Sequence, residues 1–153
     1  MTIRRSRSDR HRGQALVEFS LALIPFLLIL LGIADLGRGI YTSNGVSEAA
    51  REIARTTAVH LCASGLNCTA GTLGSSAETT STINVQKRLV PGLAGPSSSI
   101  VYTCTNNVEV VQARCDPGTF LEVTVTVPYS TLTPLLSMVA PTSLSATAHV
   151  VVP

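Results

Sequence analysis

The feature that most constrains this chain is an apolar run near its N-terminus. From Ala15 to Ala34 only Glu18 and Ser20 are polar. About 20 residues of helix are needed to cross the ~30 Å hydrocarbon core of a bilayer. Five arginines (Arg4, Arg5, Arg7, Arg10 and Arg12) precede the run, and a Lys/Arg excess beside a span holds that side in the cytoplasm. The pattern predicts a single-pass helix with its N-terminus cytoplasmic and most of the chain on the outer side. A secretory signal has a shorter apolar core, roughly 7–15 residues, followed by a small-x-small exit. This run is longer and leads into Asp35-Leu36-Gly37-Arg38, which offers no such exit. Pro25 is compatible with a membrane helix, where neighbours re-satisfy the freed carbonyl.

Glu18 has two readings. It sits at the headgroup level and is simply wet, or it has a partner, as intramembrane charges usually do. Gly13 supplies a candidate partner. A cut after Gly13 creates an α-amino group on Gln14, within reach of Glu18 in the same or the next subunit. A buried amine–carboxylate pair fixes register better than it adds stability.

Gly13, four intervening residues, then Glu18-Phe19 and an apolar helix resemble the processing site of type IV prepilin-like proteins. The extended pattern is Gly-Gln-Ala-Leu-Val-Glu-Phe, then Leu-Gly-Ile-Ala-Asp-Leu-Gly-Arg, then Ala-Ala-Arg-Glu-Ile-Ala-Arg. It closely resembles the TadE-like pseudopilins of tight-adherence (Tad/Flp) pilus systems over residues 13–60. Beyond that only a strand-rich layout agrees. The resemblance implies that a membrane prepilin peptidase cuts the Gly13–Gln14 bond, leaving Glu18 as the recognition and packing carboxylate. Phe19 stands where major Flp pilins often carry Tyr. The implied partners are the inner membrane, the prepilin peptidase, other pilins or pseudopilins, and the Tad assembly machinery. The implied role is that of a minor pseudopilin in assembly of an adhesive pilus. The alternative, from a different class, is a signal-anchored extracytoplasmic binding protein whose Gly13 is never cut.

Charged residues make up 13% of the chain, against about 25% in a typical soluble domain. Started at Gln14, the chain has 140 residues and its net charge moves from +2 to −2. The basic balance thus belongs to the leader and reads as a topology signal. Nucleic-acid binders carry a basic face with stacking aromatics. This chain has no Trp and only scattered Tyr and Phe.

The organisation follows as a leader at 1–13, a transmembrane helix at 14–36, an amphipathic stem at 37–61 and an extracytoplasmic α+β head at 62–153. In the stem Val46, Ala49, Ala50, Ile53, Ala54, Thr57, Ala58 and Leu61 recur at helical spacing. Glu48–Arg51 and Glu52–Arg55 form i,i+3 pairs on the other side. Gly37, Gly39 and Gly45 mark residues 37–45 as a soft joint, since each glycine costs about 1 kcal/mol against alanine in a helix. An unbroken helix over 15–60 would be about 70 Å long.

In the head, residues 62–82 read as mostly loop, and a short helix at 83–90 ends at Pro91-Gly92. Strands are expected at Ser99–Cys104, Val108–Arg114, Phe120–Val127 and Ser143–Val152, with Thr105-Asn106-Asn107 as a hairpin turn. Phe120–Val127 alternates cleanly, with Leu121, Val123, Val125 and Val127 on one face. Leu132–Val139 reads as a short helix entered through Pro134. The simplest assembly is a three- or four-stranded antiparallel sheet with helix packed on one side.

Four cysteines lie in the segment expected outside the cytoplasm, where disulfides persist. Of the three possible connectivities, Cys62–Cys68 and Cys104–Cys115 join the close pairs. Neither spacing fits the usual Cys-x₂₋₄-Cys zinc pairs, so no metal or other cofactor is implied. Asn67-Cys68-Thr69 fits the glycosylation triplet, read here as chance. His11, His60 and His149 are too few and too scattered for a catalytic constellation. Asp116-Pro117-Gly118-Thr119 is a turn before a strand. The chain reads as a peptidase substrate and not as an enzyme.

Overall fold

The computed structural model describes residues 8–62, 68–69, 71–106, 110–133, 136–138 and 140–153. Helix α1 runs Ser8–Val59, 52 residues without a break, or about 78 Å at ~1.5 Å per residue. The expected joint at 37–45 is absent, because the helix continues through Gly37, Gly39 and Gly45. Propensity is a weak prior that packing overrides. Asp35, Thr42 and Val46, on one side of this stretch, are buried against the rest of the protein.

The chain then forms α2 (Ala77–Leu89) and four strands: β1 (Ser99–Thr105), β2 (Val111–Gln112), β3 (Phe120–Pro128) and β4 (Ser143–Val151). The sheet is antiparallel throughout, in the order β2-β1-β3-β4. With the long helix this is an α+β fold. Strand β3 is central, and its alternation decides which face is covered. Leu121, Val123, Val125 and Val127 are all fully buried, while Glu122, Thr124 and Thr126 face the other way and are only half-buried. On that open face the Thr124 and Thr147 hydroxyls hydrogen-bond across β3 and β4 at 2.9 Å.

The second half of α1 covers the apolar face. Val46, Ala49, Ala50, Ile53, Ala54 and Ala58 are each 4% exposed or less. Four alanines on this face bring the helix backbone close to the valines of β3, and Ile53 fills the centre. The amphipathic stretch is therefore the other half of the sheet's core. Its outer side carries the charges, where Glu48 and Arg51 approach to 4.0 Å. Such an exposed pair contributes little.

Helix α2 starts six residues before the expected one, inside a segment read as loop. The sequence 77–82 is rich in Ser and Thr, which hides the helix, but Ser76 caps it: its Oγ accepts from the Thr79 amide at 3.1 Å. Glu78 in the first turn and Lys87 and Arg88 in the last suit the helix dipole. Threonines also join α2 to α1. Thr82 Oγ1 meets Thr56 Oγ1 at 3.3 Å, and Thr79 Oγ1 donates to the His60 carbonyl at 3.3 Å.

Other boundaries shift. Strand β2 is two residues long instead of seven, and part of the expected turn, residue 107, lies outside the described residues with 108–109. In place of a helix at 132–139 there is a 3₁₀ turn, Leu136–Met138, with Pro134 outside the described residues. Gly74 has φ +75°, and a Cβ there would come within 2.5 Å of the Tyr102 ring. Only glycine meets both demands at no cost. Among the described residues, the buried hydroxyls of Tyr102 and Thr57 find no hydrogen-bond partner. Burial raises the Tyr102 phenol above its ordinary value, partly offset by the nearby Thr57 hydroxyl.

Candidate functional site

The segment Gly13–Phe19 forms the exposed lower part of α1. Among the described residues, nothing outside the helix's own backbone lies within 4 Å of the position a Cβ would take on Gly13. One helical turn later the side chains meet: Gln14 Nε2 donates to Glu18 Oε1 at 3.2 Å. The residues that flank and follow the Gly13–Gln14 bond thus share one helix face, as i,i+4 spacing requires. Phe19 is 64% exposed and takes no part in that contact. Ser20 is satisfied locally, its Oγ donating to the Leu16 carbonyl at 2.7 Å.

From Leu16 to Ile33 the large apolar side chains are exposed, except Leu23, which is half-buried. None of the most apolar window of the helix is covered by the rest of the protein. A helix this long, apolar and uncovered is a candidate membrane anchor. From Gln14 to Ala34 it measures about 31 Å, close to the ~30 Å of a bilayer core.

One residue above that run lies a buried and heavily hydrogen-bonded side chain that the sequence pattern did not single out. Asp35 is 2% exposed. Its Oδ1 accepts from the Leu132 amide at 2.8 Å, and its Oδ2 from the Thr133 amide at 2.9 Å. The Thr133 hydroxyl donates to Oδ2 as well. The Tyr129 hydroxyl donates to the Asp35 backbone carbonyl at 2.9 Å. The Arg38 guanidinium lies 5.6 Å from the centroid of the Tyr129 ring, within cation–π range. A carboxylate out of water is tolerated only when its oxygens are hydrogen-bonded, and these bonds are charge-assisted. The loop between β3 and β4 thus latches onto α1 just where the apolar run ends. The latch and the Ile53 core fix the angle between head and helix at two heights.

The cysteines form the disulfides Cys62–Cys68 and Cys104–Cys115, with Cα–Cα distances of 5.6 and 5.4 Å. The first closes the loop leaving α1. The second ties β1 to the segment after β2. Among the described residues no group of three or more His, Cys, Asp or Glu side chains is placed to hold a metal. His60 follows α1, His149 stands on β4 opposite Glu122, and the His11 side chain lies outside the described residues. Asp116–Thr119 is a turn, closed by the Thr119 amide on the Asp116 carbonyl at 3.0 Å. Asn67 of the glycosylation triplet lies outside the described residues.

The family described as TadE-like protein matches residues 13–55. Residues 13–55 are a TadE-like segment. No curated protein and no solved structure matches the chain. The TadE-like segment begins at Gly13, contains Glu18 and Asp35, and ends within the face of α1 that covers the sheet. It is therefore one helix with two environments: an uncovered apolar lower part and an upper part that completes the head. The match links this segment to proteins associated with Tad pili.

Proposed function

We propose that this protein is a minor pseudopilin that acts in assembly of a Tad/Flp-type pilus. It is made with a basic leader that a prepilin peptidase removes by cutting Gly13–Gln14. The helix above the cut sits in the inner membrane with the arginines on the cytoplasmic side. The disulfide-bonded head lies in the periplasm or on the outer face. The protein works as a substrate and structural subunit and not as an enzyme.

The observation that carries this reading is the Gly13-x₄-Glu18 spacing at the foot of an uncovered apolar helix, inside the TadE-like segment. Once cut, the Gln14 amine stands within one turn of Glu18 on the face their side chains already share. Packed among apolar helices, that cation needs the carboxylate of its own or a neighbouring subunit, and this sets register. The assay is co-purification of wild type and Glu18→Ala with the pilus assembly machinery, at matched membrane levels and after cleavage is confirmed. Removing a carboxylate eases membrane insertion, so Glu18→Ala is expected in the membrane with partner recovery lost. Equal recovery of partners makes Glu18 a wet residue at the membrane surface.

A further inference from the structure

The connection between β3 and β4 carries no charge. From Val123 to Pro153 the chain has no Asp, Glu, Lys or Arg. Within the connection Leu132 is 65% and Met138 88% exposed. Single exposed apolar side chains are ordinary, but the place of these two is not.

The loop is closed at a neck, where the Tyr129 amide donates to the Thr142 carbonyl at 2.9 Å. The neck stands level with Gly39, since a Cβ there would meet the Tyr129 hydroxyl at 3.1 Å. Three residues past Tyr129, the Leu132 amide is bonded to the Asp35 carboxylate. Side chains on a helix lean toward its N-terminus, so this carboxylate lies level with Ala34 or below it. The first limb of the loop thus runs from the neck down α1 toward the apolar run. Gly39 lies five residues above Ala34, about 7.5 Å. The headgroup layer on one side of a bilayer is about 5–7 Å thick. The limb therefore crosses that layer, and Leu132 stands at its inner boundary. Met138 falls between the pinned Thr133 and the neck.

The neighbouring side chains follow the order in which a bilayer changes with depth. Arg38 is exposed and lies four residues above Ala34, about 6 Å, the level of lipid phosphates. Its guanidinium is 5.6 Å from the centroid of the Tyr129 ring. Tyrosine favours the headgroup level, and a guanidinium suits phosphate. Below them come Leu132 and the uncovered apolar run of α1. Lipid imposes such an order by height, whereas a protein partner has no reason to.

We propose that the β3–β4 loop is a second membrane contact, which rests Leu132 and Met138 in the lipid surface beside α1. The proposal rests on the membrane anchoring proposed above but not on cleavage at Gly13. All four native cysteines are in disulfides, so a single introduced cysteine takes a nitroxide spin label. Full-length Leu132→Cys and Met138→Cys are labelled and reconstituted in vesicles of phosphatidylethanolamine and phosphatidylglycerol. Leu28→Cys marks the apolar run. Val59→Cys marks water, since Val59 is exposed and twenty-five residues above Ala34, about 38 Å. Power-saturation EPR compares collisions with oxygen, which concentrates in lipid, and with a water-soluble nickel chelate. The oxygen-to-nickel ratio is expected to be highest at Leu28→Cys, lowest at Val59→Cys and intermediate at both Leu132→Cys and Met138→Cys. A ratio at either loop position equal to that of Val59→Cys places the loop in water. Suppression of both collision rates there means that protein covers it. Each of these results overturns the loop contact alone. A Leu28→Cys ratio no higher than that of Val59→Cys overturns the anchoring with it.

Discussion

Replacing Ile53 by alanine tests whether the upper half of α1 is truly the core of the head. Ile53 is fully buried between α1 and the sheet, among Val46, Ala49, Ala50 and the β3 valines. The change removes three carbons, worth about 0.8 kcal/mol each, or roughly 2.4 kcal/mol in transfer free energy. A cavity penalty adds to this, and buried Ile→Ala substitutions span about 2–5 kcal/mol. The surroundings are a helix backbone and a regular sheet, neither of which collapses readily into a hole, so we expect about 3–4 kcal/mol. That is a large share of the ~5–15 kcal/mol of a typical fold. With a urea dependence of about 1–3 kcal/mol per molar, the midpoint should fall by roughly 1–4 M. The assay is urea unfolding of the full chain in mild detergent, followed by tyrosine near-UV circular dichroism, since the chain has no Trp. Val59→Ala serves as control. Val59 ends the same helix but is 67% exposed, and surface changes usually stay within about 0.5 kcal/mol. Should Ile53→Ala cost no more than Val59→Ala, the packing of α1 on the sheet is wrong.

Two further substitutions probe other parts of the argument. Asp35→Ala removes the acceptor for the Leu132 and Thr133 amides, so hydrogen exchange at those two amides should accelerate while the β3 amides stay protected; unchanged exchange means the latch does not hold the loop. Gly74→Ala places a Cβ within 2.5 Å of the Tyr102 ring at φ +75°, adding about 1–2 kcal/mol of backbone strain to about 1–3 kcal/mol of overpacking. Tyr102→Ala should relieve the overpacking, and a double-mutant cycle with strictly additive losses would contradict that contact.

The parts of the fold legible in the sequence were those with an uninterrupted period. The apolar run 15–34 and the alternation of Phe120–Val127 each repeat one period long enough to leave a single reading, and both elements are present. The face Val46–Ala58 was legible as amphipathic, but its partner was not. A sequence shows that a face is apolar and not whether a sheet covers it. Helix α2 was misread because its first turns, Glu78-Thr79-Thr80-Ser81-Thr82, carry polar residues on the side that packs. Thr79 is buried and uses its hydroxyl on the His60 carbonyl, which no hydropathy pattern reveals. Glycines suggested a joint where packing against the head supports an unbroken helix.

At the candidate site, the Gly13-x₄-Glu18 spacing is local and could be read directly. The Asp35 latch could not, because its donors lie 97 and 98 residues away in a loop. One signal was available: a lone acid at the outer end of an apolar run, spaced 35, 42, 46, 49, 53 with the residues that prove buried. That heptad-like stripe marks the side of α1 that meets the head, and Asp35 is its lowest member.

The most direct test of the account is the N-terminal mass of the protein purified from native membranes, with and without a functional prepilin peptidase. The account predicts a chain beginning at Gln14 when the peptidase is present, and one beginning at Met1 when it is absent or when Gly13 is replaced by a bulky residue. An intact Met1 terminus in cells with a working peptidase contradicts it.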